Sequence, residues 1–341
     1  MTPWLLLVLG IAEAADTSTV LAGYGQVSAA ASVEEPAAAF DSLIFAPIFL
    51  WREGERVLVE AELEFAASEE GLEAGLEYAA VNVDTGGPVI TAGQFLSPLG
   101  QFMVRLHPTW INKLYDFPLP YRVGPLPMAH IGLQAQQVIR PGIVDRVVVV
   151  AFVDNGPGGV PGGPALGPSV VDDNLDKGIG GRLALFAVPE LELAGSAYTG
   201  AYTDGGDERF VLVVADAAWA RGGWLDLRGE YTSANWEGGE FKGAWGQAAW
   251  RLRQVPALDR LEPVVRVGWA EGDTPASEPG EEEAGGHAHG AAGVELGDEP
   301  LFEVCAGLNA YLRSNVVVKA SFTHQVEVYA PTVHLALAAG F

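Results

Sequence analysis

The stretch ERVLVEAELEFA, residues 55–66, decides how this chain is read. Val57, Val59, Ala61, Leu63 and Phe65 fall on one face of an extended strand, and Arg56, Glu60, Glu62 and Glu64 on the other. Helical spacing would scatter the glutamates among the apolar residues, so period two is the regular fit. The same alternation runs through 224–235, where Leu225, Leu227 and Tyr231 oppose Asp226, Arg228 and Glu230. It returns in 316–327, where Val316, Val318, Ala320 and Phe322 oppose Lys319, Ser321, Thr323, Gln325 and Glu327.

Working outward, such segments are predicted near 20–33, 40–52, 55–66, 72–83, 88–95, 129–138, 144–153, 177–188, 190–203, 208–220, 223–235, 240–252, 261–272, 299–311, 315–327 and 331–341. That is about sixteen, an even number, as a single-chain bacterial barrel requires. The expected fold is all-β: a transmembrane antiparallel β-barrel with long extracellular loops and short periplasmic turns. The predicted turns (53–54, 84–87, 140–143, 188–190, 221–223, 254–260 and 314) are brief. The three longest connections, 96–128, 154–176 and 273–298, all fall on the opposite side.

Composition agrees. About half of the 341 residues are apolar and only 18% are charged, yet no internal run approaches the roughly 20 apolar residues of a membrane helix. A closed sheet can turn such apolar surface toward lipid while every backbone group stays paired. The formal charge of −25, from 19 basic and 44 acidic residues, excludes a nucleic-acid partner. The single cysteine, Cys305, excludes an internal disulfide. Residues 5–11 are a short apolar core followed by Ala12-Glu13-Ala14, so 1–15 is predicted to be a cleaved signal peptide and 16–341 the barrel. No Lys or Arg precedes that core, which points to a start codon further upstream.

The last segment places Val333, Leu335, Leu337, Ala339 and Phe341 on one face and ends on the aromatic. This resembles the closing strand read by the barrel-assembly machinery, with Phe341 as the assembly signal. Trp51, Tyr78, Trp219, Trp224, Trp236 and Tyr311, near segment ends, suit the aromatic girdles where lipid meets water.

Sixteen strands leave an aqueous bore. Its predicted wall carries Glu60, Glu62, Glu64, Glu73, Glu77, Glu192, Asp226, Glu230, Glu303 and Glu327 against Arg56, Arg182, Arg228, Arg251, Arg266 and Lys319. Charges at membrane depth need water or each other.

The run AGQFLSPLGQF (92–102) followed by HPTWINK (107–113) resembles the outer-membrane porin superfamily that includes the phosphate-selective porin O/P-like proteins. The resemblance implies a third outer loop, 96–128, folded into the barrel as its constriction, and a homotrimer. Arg105, His107, Asn112, Lys113, Asp116 and Arg122 are then the candidate constriction residues, four potential cations against one anion. The other reading is that this loop packs on the wall and its polar groups satisfy each other. Phosphate selectivity would call for a ladder of lysines, and the chain has four.

Segment 154–176 includes the run GPGGVPGGP (156–164), expected to hold neither helix nor strand and to form a surface loop. The connection 273–298 carries Glu281, Glu282 and Glu283 before His287 and His289, a weak candidate metal site more simply read as a solvated acidic loop. No cofactor motif and no catalytic constellation is present in the sequence, so an enzyme is not expected.

Two readings follow. One is a porin passing small polar or ionic solutes. The other is a structural, adhesive or metal-capturing barrel with a blocked lumen, its acidic surface holding divalent cations or lipopolysaccharide.

Overall fold

In a computed structural model of the chain, residues 17–32, 38–68, 71–160, 163–165, 176–203, 205–253, 255–274, 296–297, 299–326 and 331–341 are described. The predicted signal peptide, Glu327, His287 and His289 lie outside these residues.

The strands are β1 (Thr17–Ser32), β2 (Ala38–Glu53), β3 (Val57–Ser68), β4 (Gly71–Asp84), β5 (Val89–Leu96), β6 (Ala129–Ile139) and β7 (Arg146–Asp154). A small hairpin follows, β8 (Gly158–Val160) and β9 (Gly163–Ala165). Then come β10 (Gly178–Val188), β11 (Leu191–Ala201), β12 (Arg209–Arg221), β13 (Leu225–Trp236), β14 (Gly239–Trp250), β15 (Arg260–Gly272), β16 (Leu301–Arg313), β17 (Val316–Gln325) and β18 (Thr332–Gly340). All except β8 and β9 form one closed barrel of sixteen antiparallel strands, each bonded to its chain neighbour, with β18 closing on β1. The sixteen predicted segments coincide with these strands to within a few residues. Alternation is what a strand with lipid on one side and a polar interior on the other must show.

Closure removes every free edge. Along the strands the buried and exposed residues take turns, and the exposed set is largely apolar: Phe49, Leu63, Val213, Val267, Phe302 and Leu335 are each close to half exposed. A surface this greasy all round belongs in lipid, not water. Because successive strands run in opposite directions, the connections holding 97–128, 155–177 and 273–300 leave the same end.

Four expectations are corrected. Tyr78 pairs in register with the buried Glu62 and shares its inward face, so it is no girdle residue. Trp236 and Tyr311 are buried and face inward, Trp236 against Phe210 and Tyr311 beside Glu262, so neither belongs to a girdle. Position near a strand end does not fix the side; parity along the strand does. The glycine-proline run also holds a strand pair, β8 and β9. Its backbone lies so close to β11 and the residues after it that a Cβ on Gly159 would meet the Tyr202 carbonyl oxygen at 2.0 Å.

Candidate functional site

The connection from β5 to β6 runs inside the barrel. It carries two short helices, α1 (Phe102–Leu106) and α2 (Leu119–Val123), the latter opened by Pro118. Leu99, Phe102, Met103, Leu106, Phe117, Leu119, Tyr121 and Val123 are buried in one apolar cluster with inward-facing wall residues Phe152, Tyr198, Phe210, Leu212, Val214, Phe241 and Trp245. The inner wall of β12 is therefore apolar where the connection covers it, which is why that strand reads as apolar on both faces.

Glycines in the wall make the seats. A Cβ on Gly243 would stand 2.9 Å from the Pro120 side chain, one on Gly268 2.9 Å from Leu119, and one on Gly307 2.5 Å from Leu114. On the connection itself, Gly100 has φ +82° and lies so near Glu230 that a Cβ would meet Oε2 at 2.4 Å. That position admits glycine alone. Beside it the Gln101 N–H donates to Glu230 Oε2 at 2.9 Å, and the Tyr121 hydroxyl donates to Oε1 at 2.6 Å. One buried carboxylate thus ties both halves of the connection to β13.

Each candidate constriction residue has a definite position. Arg105 grips Glu192 of β11 with both guanidinium nitrogens, Nη2–Oε1 being 2.9 Å, and its side chain stays 37% exposed. Lys113 donates to Glu262 of β15 at 2.9 Å, and Arg122 pairs with Glu303 of β16. Asp116 accepts from Thr323 at 2.6 Å. Asn112 bonds to the Asp116 carbonyl at 3.2 Å, and His107 shares a 2.7 Å hydrogen bond with the Met103 carbonyl. Burial pushes the Lys113 ammonium below its usual range while Glu262 pulls the other way. Burial raises the Asp116 carboxyl, yet Arg122, His334, Thr323 and Arg266 together hold it below the usual carboxylate range. Three of the four potential cations are thus neutralised by wall carboxylates from three strands.

The wall candidates divide in two. Glu230, Arg266 and Lys319 are buried beneath the connection, as is Asp226, which binds Arg228 and Arg251. Arg228 also donates to Gln101 Oε1 at 3.1 Å, and Arg266 to the Phe117 carbonyl at 3.0 Å. Lys319 donates to two backbone carbonyls of the connection, Thr109 and Asn112. Glu60, Glu62, Glu64, Glu73 and Glu77 belong to β3 and β4, away from the helices. There Glu60 accepts from Asn82 at 2.6 Å and Glu64 from Tyr24 at 3.2 Å. Glu60, Asn82, Gln134 and Gln136, all inward-facing, keep contact with solvent.

The Lys319 anchor carries a prediction. Lys319→Met preserves the packed volume but leaves two buried carbonyls without a donor, at about 1–3 kcal/mol each. The 109–112 turn should loosen while the barrel stays closed. Faster protease cleavage within 97–128 at unchanged barrel mobility on unheated gels is the expected result; equal cleavage rates would refute the anchor.

One group escaped the sequence reading. Ser97 Oγ lies 3.0 Å from His130 Nε2, His130 Nδ1 bonds Asp154, and Tyr198 donates to Asp154 at 3.2 Å. The order Ser–His–Asp is that of a hydrolase triad, but Ser97 is fully buried and its own N–H is spent on the Met128 carbonyl. The chain of bonds ties the root of the connection to β6, β7 and β11. Residues 33 and 24 apart in sequence form it, which no local motif announces.

No protein-family model matches the chain, and no curated protein does. Solved structures do. OmpT of Vibrio cholerae, folded in vitro, aligns at 10% identity over 97% of this chain and 100% of its own, with a TM-score of 0.59. OmpF of Salmonella typhi, solved with daunomycin, aligns at 12% over 95% and 97%, TM-score 0.62. The anion-selective porin from Comamonas acidovorans aligns at 11% over 96% and 100%, TM-score 0.62. Over the 95–97% of the chain that aligns, it has the barrel fold of these outer-membrane proteins.

Proposed function

We propose that this chain is an outer-membrane diffusion channel for small polar and ionic solutes, narrowed by residues 97–128. The observation that carries the reading is a closed sixteen-stranded barrel with an apolar exterior, a polar interior and one long connection folded inside. The passage runs beside β3–β6, where Glu60, Asn82, Gln134 and Gln136 meet water, and past Arg105 on the connection. Glu60 and Glu73 of β3 and β4 thus stand on one side and Arg105 on another, the arrangement by which patches of charge sort ions. By likeness to the OmpT structure described as a trimer form, a homotrimer in the outer membrane is the assembly we favour.

Planar-bilayer recording tests this. Stepwise conductance is expected from folded protein; silence would favour a blocked lumen instead. Selectivity then reads the two walls separately. Glu60→Gln should shift the reversal potential in a salt gradient toward anions, and Arg105→Gln toward cations, because each removes one solvent-reached charge. Shifts in the reverse directions would show that ions pass elsewhere.

A further inference from the structure

The outer surface carries a second feature, at the short-turn end of β12–β14. Trp219, Leu227 and Trp250 face outward there, the last two paired in register with Trp219 and Leu225 of the neighbouring strands. The turn after β12 adds Trp224, half exposed, and the residues after β14 add Leu252, likewise half exposed. Just beyond this apolar patch stand Arg221 and Arg253, both exposed. Arg221 lies against the Trp219 ring, its guanidinium carbon 5.7 Å from the centroid. Arg253 reaches across to the neighbouring turn, where a Cβ on Gly223 would be 3.2 Å from its Nη2. A Cβ on Gly222 would be 3.1 Å from the Trp224 ring, so the two glycines leave room for both side chains.

Neither arginine pairs with a carboxylate among the described residues. The arginines under or on the inward connection, Arg105, Arg122, Arg182, Arg228, Arg251 and Arg266, all have carboxylates, whereas Arg52, Arg140 and Arg313 at other points of the surface have none among the described residues; Arg221 and Arg253 differ from those three in standing together over two tryptophans. Two unpaired guanidiniums above a tryptophan and leucine surface match one kind of partner: an acyl chain along the strands with a phosphate at its head.

We infer that the β12–β14 rim holds an anionic phospholipid head group, its phosphate between Arg221 and Arg253 and its chains over Trp219, Leu227 and Trp250. The inference rests on the chain being an outer-membrane barrel with its short turns toward the phospholipid leaflet, and not on its being open to ions. Arginine suits the task because its planar fork can offer two N–H groups to one phosphate while stacking on indole.

Native mass spectrometry of the purified barrel, titrated with phosphatidylglycerol, counts the bound lipid. The Arg221→Gln/Arg253→Gln variant should bind phosphatidylglycerol about tenfold or more weakly than wild type, since each lost charge-assisted contact is worth a large part of a decade. Arg313→Gln, an exposed rim arginine two strands away, should bind as wild type does. Diacylglycerol, with the same chains and no phosphate, should not distinguish wild type from the double variant. Equal phosphatidylglycerol binding by the double variant would overturn the site, as would diacylglycerol held as tightly as the phospholipid. Displacement of the lipid by millimolar inorganic phosphate would assign the arginines to a free anion, and preferential uptake of lipopolysaccharide would assign them to the other leaflet; either outcome overturns the proposed occupant. Because no current is measured, failure here leaves the channel reading standing, and a silent channel leaves this one.

Discussion

Excising residues 102–123 and bridging the gap with a short glycine-serine link should raise single-channel conductance and turn the channel toward cations. The excised piece holds Arg105, Lys113 and Arg122 against Asp116 alone, so the lumen becomes two charges more negative at neutral pH. Glu192, Glu262 and Glu303 each lose a cation they now share with the wall. Charges facing water in a narrow bore set which ions enter, so the reversal potential in a potassium chloride gradient must move to the cation side. The excision also bares Phe210, Leu212, Val214, Phe241 and Trp245, each worth roughly 1.5–3 kcal/mol when covered. The closed ladder of backbone bonds does not pass through the connection, so the barrel itself should still form.

A second variant separates width from charge. Leucine at both Gly268 and Gly307 would fill the seats of Leu119 and Leu114 and push the connection off the wall without deleting a charge. Conductance should again change, now with a smaller shift in selectivity. If both variants conduct as wild type does, the connection is not the constriction.

The contrast between what could and could not be read from sequence has a physical origin. Strands such as 55–66 announce themselves because a lipid face and a water face must alternate within the strand, and that signal is local. The sides taken by Arg105 and Arg122 were not legible, because their partners Glu192 and Glu303 lie 87 and 181 residues away. Nor was the apolar inner face of β12, since Phe210, Leu212 and Val214 are the residue types expected on its outer face. The inward glycines are a usable sign. Gly243, Gly268 and Gly307 share the parity of the inward side chains Trp245, Arg266 and Asn309, and a missing side chain on a lumen face marks where something leans against it.

The seam where the barrel closes makes the largest stability prediction. Gly23 of β1 exchanges two backbone hydrogen bonds with Phe341, at 3.1 and 2.9 Å, and the Phe341 ring lies over the space its side chain would occupy. A Cβ there would meet the Ala46 carbonyl oxygen at 2.5 Å, the tip of the Phe341 ring at 2.8 Å and the Pro47 Cα at 3.0 Å. The ring can swing away, but the backbone of β2 cannot. Gly23→Val should therefore push β1 off β2 and spoil pairing with the C-terminus at the same time, at a cost of several kcal/mol, beyond ordinary overpacking. Phe341→Ala is the informative companion. It keeps both backbone bonds and removes only the stack with Phe45, whose ring centroid is 6.0 Å away. We expect Gly23→Val to yield little barrel that resists unfolding in cold detergent, read by gel mobility before and after heating. Phe341→Ala should yield barrel of near-normal stability, and slow accumulation of that barrel in the membrane is the result that would mark Phe341 as a residue read during assembly. A Gly23→Val protein as resistant as wild type would mean that the seam is not closed by this close approach.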